Sequence, residues 1–281
     1  MVYAVSGSTF VKNNQRGALC LWESLAMLLP ICTDIHIVDL GSTDNTWEIL
    51  QDLALHNQKI NVYQSQLSCM DAKALADAAN ESIKKWNFPT GFFWQADEVW
   101  HEDLLKLTML ELDKGEQNIW FWRYQLKTNF QTMKWFPHPV HRFGRKDNFV
   151  FIGDGMNTTA AYEHDVVGDY DIEQFPKWGG MDPLTIPINQ MILDVSQTGG
   201  FRDNVPARRQ FHAPLYHDFD IEGKTLNQWH REAQADKRWE LPTTPYNIPR
   251  IMKYHVGKTC YEVRQDLLEA IRTNTTERWY V

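Results

Sequence analysis

Two carboxylates, each at the end of a short apolar run, are the side chains of this sequence best placed to do chemistry. The first is Asp39, in the stretch IHIVDLGSTDNTWE from Ile35 to Glu48. Ile35, Ile37 and Val38 are β-branched, and the run is too short for a helix, so it reads as a buried strand of a parallel sheet with Asp39 at its carboxyl end. Gly41 can supply a tight turn. Asp44 or Asn45, with Glu48 three residues after Asn45, suits the N-cap of a helix over WEILQDLAL. Strand, polar loop and helix start together form the place where open α/β sheets bind ligands. A carboxylate there repels phosphate and suits a donor-rich neutral group, such as a ribose hydroxyl or a base edge. Asp39 therefore reads as a nucleoside contact.

The second is Asp97, in GFFWQADEVWHEDLL. Phe92 to Gln95 reads as a buried strand, Asp97 and Glu98 as a carboxylate pair at its exit, and Glu102 as the start of a helix. A carboxylate leaving a central strand can hold Mg²⁺ or Mn²⁺ through one or two oxygens while a diphosphate supplies the rest.

Both segments resemble motifs of one family. DLGSTDNT is similar to the D-x-G-S-x-D-x-T signature of family 2 glycosyltransferases of the GT-A fold, and QADE resembles that family's L-D-A-D-E element, the DXD motif. The resemblance implies that Asp39, with Ser42 and Asp44 of the same signature, contacts the nucleotide of a nucleotide-sugar donor, and that Asp97 is a ligand of a divalent metal. Gln95, a candidate nucleotide contact by the same resemblance, stands where the family has the first Asp and can only hydrogen-bond neutrally, which leaves that acid's role open. FVKNNQ resembles the family's V-K/R-N-E loop after the first strand, with Gln15 replacing the acid. This adds Ser8, Thr9 and Asn13 as nucleoside contacts, although an ordinary turn is the alternative.

Weaker likenesses extend further along the chain. In DAKALADAANESIKKW, a strong helix former that Asp71 can cap, Lys73, Ala76 and Asn80 match the family's K/R...A...N pattern. Lys73 would reach the diphosphate, or simply form a solvated face. HRFGRK resembles R-L-F-R-K, so Arg142 and Arg145 either face phosphate or pair with surface acids. FPKWGGMDPLTI loosely resembles a W-G-G-E-D loop whose acid acts as base. Met181 breaks that pattern, and Asp182 is the candidate base or else an N-cap. FHAPLYHDFD resembles a late H-Y segment, which makes His217, and after it His212, a candidate further metal ligand or an ordinary surface residue. Trp229 and Trp239 line an acceptor pocket or pack in the core.

The elements that must position these residues follow in order. Val2 to Ser6 reads as a first strand, ending in the polar run Ser6 to Thr9. Gly17 to Leu29 is an amphipathic helix stopped by Pro30. Strand 35 to 39, helix 46 to 55 and strand 60 to 63 continue a series of βαβ units, hence a parallel sheet with right-handed crossovers. Asn118 to Thr128, Val140 to Arg145 and Phe149 to Ile152 read as extended segments. Gly223 to Trp239 and Tyr261 to Thr273 read as amphipathic helices. The expected organisation is an α/β GT-A domain over residues 1–215, with a mostly parallel sheet and helices on both faces, followed by a helical extension over residues 216–281.

Composition narrows the function classes. At 281 residues, 43% hydrophobic and 23% charged, the chain is an ordinary globule, with 12 Trp as an excess of aromatic surface or core. A net charge of -8 disfavours coating nucleic acid or anionic membrane through bulk charge. The apolar stretches near 24–33 and 183–193 are too short and interrupted to span a bilayer. No basic segment followed by an apolar one opens the sequence, so no signal peptide is expected. Cys20, Cys32, Cys69 and Cys260 have no metal spacing and suit reduced thiols in a cytoplasm.

The reading is an inverting glycosyltransferase that moves a sugar, with UDP-sugar as the first choice of donor, to a hydroxyl of a glycan, lipid-linked or other acceptor, assisted by Mn²⁺ or Mg²⁺. A nucleic-acid acceptor fits less well with net acidity. Two other classes stay open: a catalytically silent carbohydrate- or nucleotide-binding module on the same fold, and a nucleotidyltransferase, which would want a basic, Gly-rich phosphate loop that VSGSTFVKNN lacks. If Asp182 is not the base, Asp154, Glu163 and Asp218 are the other acids in range.

Overall fold

The run Ser6 to Thr9, small and polar enough to look like a loop, belongs to an interior strand of the sheet. In the computed structural model, which describes residues 4–14, 20–67, 72–113, 119–127, 132–152, 157–158, 192–197, 220–221, 224–225, 241–242, 250–253 and 260–280, strand β1 spans Ser6–Val11. It starts where the sequence reading ended it. Small residues are needed because large neighbours fill the space: a Cβ on Gly7 would lie 3.0 Å from Cys32 Sγ and 3.2 Å from both Ile35 and Trp94. The hydroxyls are satisfied internally, Ser6 Oγ accepting from the N–H groups of Asn87 and Phe88 and Ser8 Oγ from Ser82 Oγ.

Strand β2 (Asp34–Asp39) and strand β4 (Thr90–Phe93) pair with β1 on either side, and β3 (Ile60–Gln64) pairs with β2, all in parallel. The connections carry helices α1 (Leu21–Leu28), α2 (Thr46–His56) and α3 (Ala72–Lys84). Side chains alternate across these strands. Ile35, Ile37 and Phe92 pack with α1, Leu50 and Leu53 of α2, while Val38 and Phe93 face Ala76, Ala78, Ala79 and Ile83 of α3. Helices therefore cover both faces, as expected for this α/β class.

Beyond β4 the sheet turns mixed. β5 (Glu98–Trp100), α4 (Glu102–Asp113), β6 (Ile119–Lys127), β7 (Thr132–Arg145) and, after the short pair β8 (Phe151–Ile152) and β9 (Asn157–Thr158), β10 (Ile192–Gln197) complete the strand order β3-β2-β1-β4-β7-β6-β10-β5. β7 runs antiparallel to both β4 and β6, whereas β10 is parallel to β6 and antiparallel to β5. The strand read as Phe92 to Gln95 thus ends two residues earlier, and the segment read as starting at Val140 begins at Thr132. Among the described residues no helix is long and apolar enough to cross a membrane.

The pair β11 (Asp220–Ile221) and β12 (Lys224–Thr225) corrects the start of the helix read over 223–239, because Lys224 and Thr225 are extended. β13 (Leu241–Pro242) adds to β7, and helices α5 (Arg250–Lys253), α6 (Cys260–Arg272) and α7 (Glu277–Tyr280) follow. Val263, Leu267, Leu268, Ile271 and Trp279 enter the same core as α1 and α2. Asn57 Nδ2 donates to Ile271 O at 2.6 Å, and Arg272 pairs with Asp52 of α2. This explains why α1, read as amphipathic, has all eight residues buried: α6 covers its outer side. The boundary at 215/216 lies outside the described residues.

Candidate active site

The carboxyl ends of β2, β1 and β4 lie side by side, Val11 opposite Asp39 and Ser8 opposite Phe93. Trp94 N–H extends the β4 ladder by donating to Ser8 O. Asp39 and the turn after β4 are therefore on one edge of the sheet, about 10 Å apart at two strand spacings.

Asp39 is fully buried, and both its oxygens accept the N–H of Ser42, at 3.0 and 3.1 Å. The chain folds back this sharply because Gly41 takes φ +72°, a region that other residues rarely adopt. Burial raises the Asp39 pKa above its ordinary value, the Ser42 bonds opposing it. The neighbouring loop is laced to this one: Asn13 N–H donates to Ser42 Oγ at 2.8 Å, and Thr43 N–H donates to Asn13 Oδ1 at 2.7 Å. Asn13 takes φ +51°, an uncommon conformation held here by both bonds. Asp44 Oδ1 accepts from Thr46 N–H at 3.0 Å, while Asn45 occupies the N-cap position of α2 without a side-chain bond.

After β4, Gln95 to Glu98 form a turn closed by Glu98 N–H donating to Gln95 O at 3.0 Å. Glu98 is not a second site carboxylate. It is fully buried and takes a bidentate pair from Arg142, Nε to Oε2 and Nη2 to Oε1 both at 2.9 Å, with Arg123 Nη1 at 3.2 Å. Its Oε2 also accepts Gln95 N–H at 3.1 Å. Although burial opposes it, these partners lower the Glu98 pKa. Arg142 therefore faces neither phosphate nor a surface acid, whereas Arg145 does meet an exposed acid, Asp147, at 3.6 Å. Residues from the start of α1 support the turn from behind, Cys20 Sγ donating to Ala96 O and the Ser24 hydroxyl to Glu98 O. Asp97, buried to 7% exposure, is the other carboxylate of this turn.

Of the other sequence-derived candidates, Ser42, Asn13 and Asp44 share the edge with Asp39. Ser8 and Thr9 do not belong to a loop. They lie inside β1, fully buried, with Thr9 Oγ1 bonded to Phe10 O. Lys73 falls in the first turn of α3, its side chain outside the described residues, and Asn80 of the same pattern is engaged by Phe151, donating to its O and accepting its N–H at 2.8 Å each. Asp182, His217 and His212, like Trp229 and Trp239, lie outside the described residues. Among the described residues no group of three or more His, Cys, Asp or Glu side chains is arranged to hold a metal. A hard carboxylate such as Asp97 fits Mg²⁺ or Mn²⁺ as one ligand of a site that its substrate completes.

Sequence reasoning missed Arg123 and the buried role of Glu98. The signal was present in NIWFWRYQLKT, where Ile119, Phe121 and Arg123 fall on one side of a strand: a charge at an inward position needs a buried partner.

No curated protein matches the sequence. Solved structures with a partial likeness are S. aureus TarS 1-349 (18% identity, 45% of this chain, 36% of that chain, TM-score 0.34), S. aureus TarS (18%, 45%, 21%, 0.33), and S. aureus TarS 1-349 in complex with UDP (16%, 45%, 36%, 0.34). This chain thus spans about a third or less of their length. The family described as Glycosyl transferase family 2 matches residues 18–170, more than half of the 281, a stretch that contains both Asp39 and Asp97. With its two carboxylates on one edge of an α/β sheet inside that match, the chain belongs to glycosyl transferase family 2.

Proposed function

We propose that the chain transfers a sugar from a nucleotide-sugar donor, UDP-linked as the first to test, to a hydroxyl acceptor with inversion at the anomeric carbon. The observation that carries this reading is the pair Asp39 and Asp97 on one sheet edge, flanking the end of β1. In this reading Asp39 accepts from the nucleoside, with Asn13, Ser42 and Asp44 shaping its pocket. Gln95 and Lys73 lie toward the diphosphate. Asp97, with His217, would hold Mn²⁺ or Mg²⁺, which when bound would supply positive charge for the leaving diphosphate. Asp182 takes the acceptor's proton as its oxygen attacks. Cys20 and Cys32, buried and outside any disulfide among the described residues, are in keeping with a cytoplasmic setting.

A donor screen tests this directly. Free nucleotide should appear from one of a panel of nucleotide sugars only with Mn²⁺ or Mg²⁺ present, Asp182→Asn should slow turnover by about 10²-fold with donor affinity little changed, and proton NMR should show the product anomer inverted. Nucleotide binding with no release from any donor would instead favour a silent binding module, a reading for which the replacement of the motif's first acid by Gln95 is the specific motive. A retained anomer would rule out single displacement.

A further inference from the structure

Gln95 stands in place of an acid, and its surroundings fix what it can offer. Arg123 Nη1 lies 3.1 Å from Gln95 Oε1, and a guanidinium has only donors, so the amide atom facing it is the carbonyl oxygen and the NH₂ group is turned away. The backbone of Gln95 is spent within its own turn, N–H on Glu98 Oε2 and C=O on Glu98 N–H. Gln95 is half-buried in the turn after β4, and its Nε2 makes no hydrogen bond among the described residues. An Asp at this position would present acceptors only. This chain presents a donor, with its sense set by Arg123.

We propose that Gln95 is a specificity residue whose Nε2–H donates to an oxygen of the donor's diphosphate, with Arg123 as the positioning residue that holds the amide in that sense. The proposal rests on the donor-site reading above. The phosphate end is the one reached, because Gln95 is two residues from Asp97 on β4's side of the edge, while Asp39 holds the nucleoside end two strands away.

The test is isothermal titration at fixed Mn²⁺ with whichever of UDP or GDP the wild type binds, and with the matching nucleoside. Gln95→Glu keeps an oxygen for Arg123 and leaves the bonds that close the turn, Gln95 N–H on Glu98 Oε2 and Glu98 N–H on Gln95 O, in place, but it replaces the outward donor by a carboxylate oxygen. Affinity for the diphosphate should fall at least tenfold while affinity for the nucleoside stays within twofold. Gln95→Met, which removes the donor without adding charge, carries the same expectation should the first variant not fold. Unchanged or tighter diphosphate binding, or equal losses for nucleoside and diphosphate, would overturn the role given to Gln95 and leave the donor site standing. Failure of the wild type to bind either diphosphate would overturn both.

Discussion

At the scale of single residues, Asp39 is a carboxylate whose charge is disfavoured by its own burial. Its carboxylate is buried, its pKa raised by that burial, and Ser42 opposes the rise by hydrogen bonding to both its oxygens. For a carboxyl raised in this way, the stabilising contribution is present when it is protonated and is lost as pH rises through the folded-state pKa. Near neutrality the charge therefore costs the free protein stability. Asp39→Asn keeps an oxygen for Ser42 and discards the charge. It should melt at no lower temperature than the wild type at pH 7 in a thermal scan, yet bind nucleoside more weakly by roughly 1 to 3 kcal/mol in titration calorimetry. In the wild type the acid limb of nucleoside binding should lie above the usual carboxylate range, and in Asp39→Asn it should vanish. A clear drop in melting temperature would make Asp39 a structural residue. This position was legible from sequence because all of its determinants are local: a β-branched run, then an acid, a glycine and a cap within ten residues.

At the scale of elements, the turn from β4 to β5 was only half legible. QADE announces an exit from a strand, and Asp97 does lie in the turn that follows it, but Glu98 finds its partners 25 and 44 residues downstream, on β6 and β7. Sequence periodicity says which face of a strand a residue is on, not which strand lies alongside, so a carboxylate pair and a single carboxylate beside a buried ion pair read alike. The error over Ser6 to Thr9 has a similar origin, since small polar residues favour turns unless tertiary neighbours demand small volume and supply the hydrogen bonds. Glu98 closes the turn twice over, through its N–H and through its carboxylate on Gln95 N–H. Glu98→Gln leaves Arg142 buried without a full countercharge, and breaking such a pair costs about 3 to 5 kcal/mol. Urea denaturation should report that loss, and diphosphate-dependent Mn²⁺ binding should weaken with it even below the melting range. Wild-type stability in Glu98→Gln would detach the ion pair from the architecture of the turn.

At the scale of the whole molecule, the last described helices close the structure that the first ones begin. α6 buries Val263, Leu267 and Ile271 in the core that holds α1, and Asn57 and Asp52 of the α2 region grip its end. The resemblance faded toward the C-terminus, yet the packing does not, because hydrophobic contact needs no motif. Leu267→Ala, fully buried before the change, should cost about 2 to 5 kcal/mol in urea denaturation if the core is one unit.

Stability should also fall in acid, with a sign that a buried histidine sets. His141 is fully buried against Phe149, and burial together with Arg142 beside it pushes its pKa from 6.5 down to about 3. A histidine lowered in this way is neutral in the folded protein while the unfolded chain takes up a proton below pH 6.5, so stability is lost as pH falls through that window. Glu98, lowered by its arginines, acts in the same direction at lower pH, below the ordinary carboxylate range. Asp39, raised, acts in the opposite one. Each pH unit over which His141 alone is mismatched is worth about 1.4 kcal/mol, so it should account for about 2 kcal/mol lost between pH 6.5 and about pH 5. The urea midpoint of the wild type should fall across that interval, and in His141→Gln the slope should flatten even if the variant starts from a lower stability. An equal slope in the two proteins would move the acid response elsewhere, with His36, also lowered by burial, as the next group to replace.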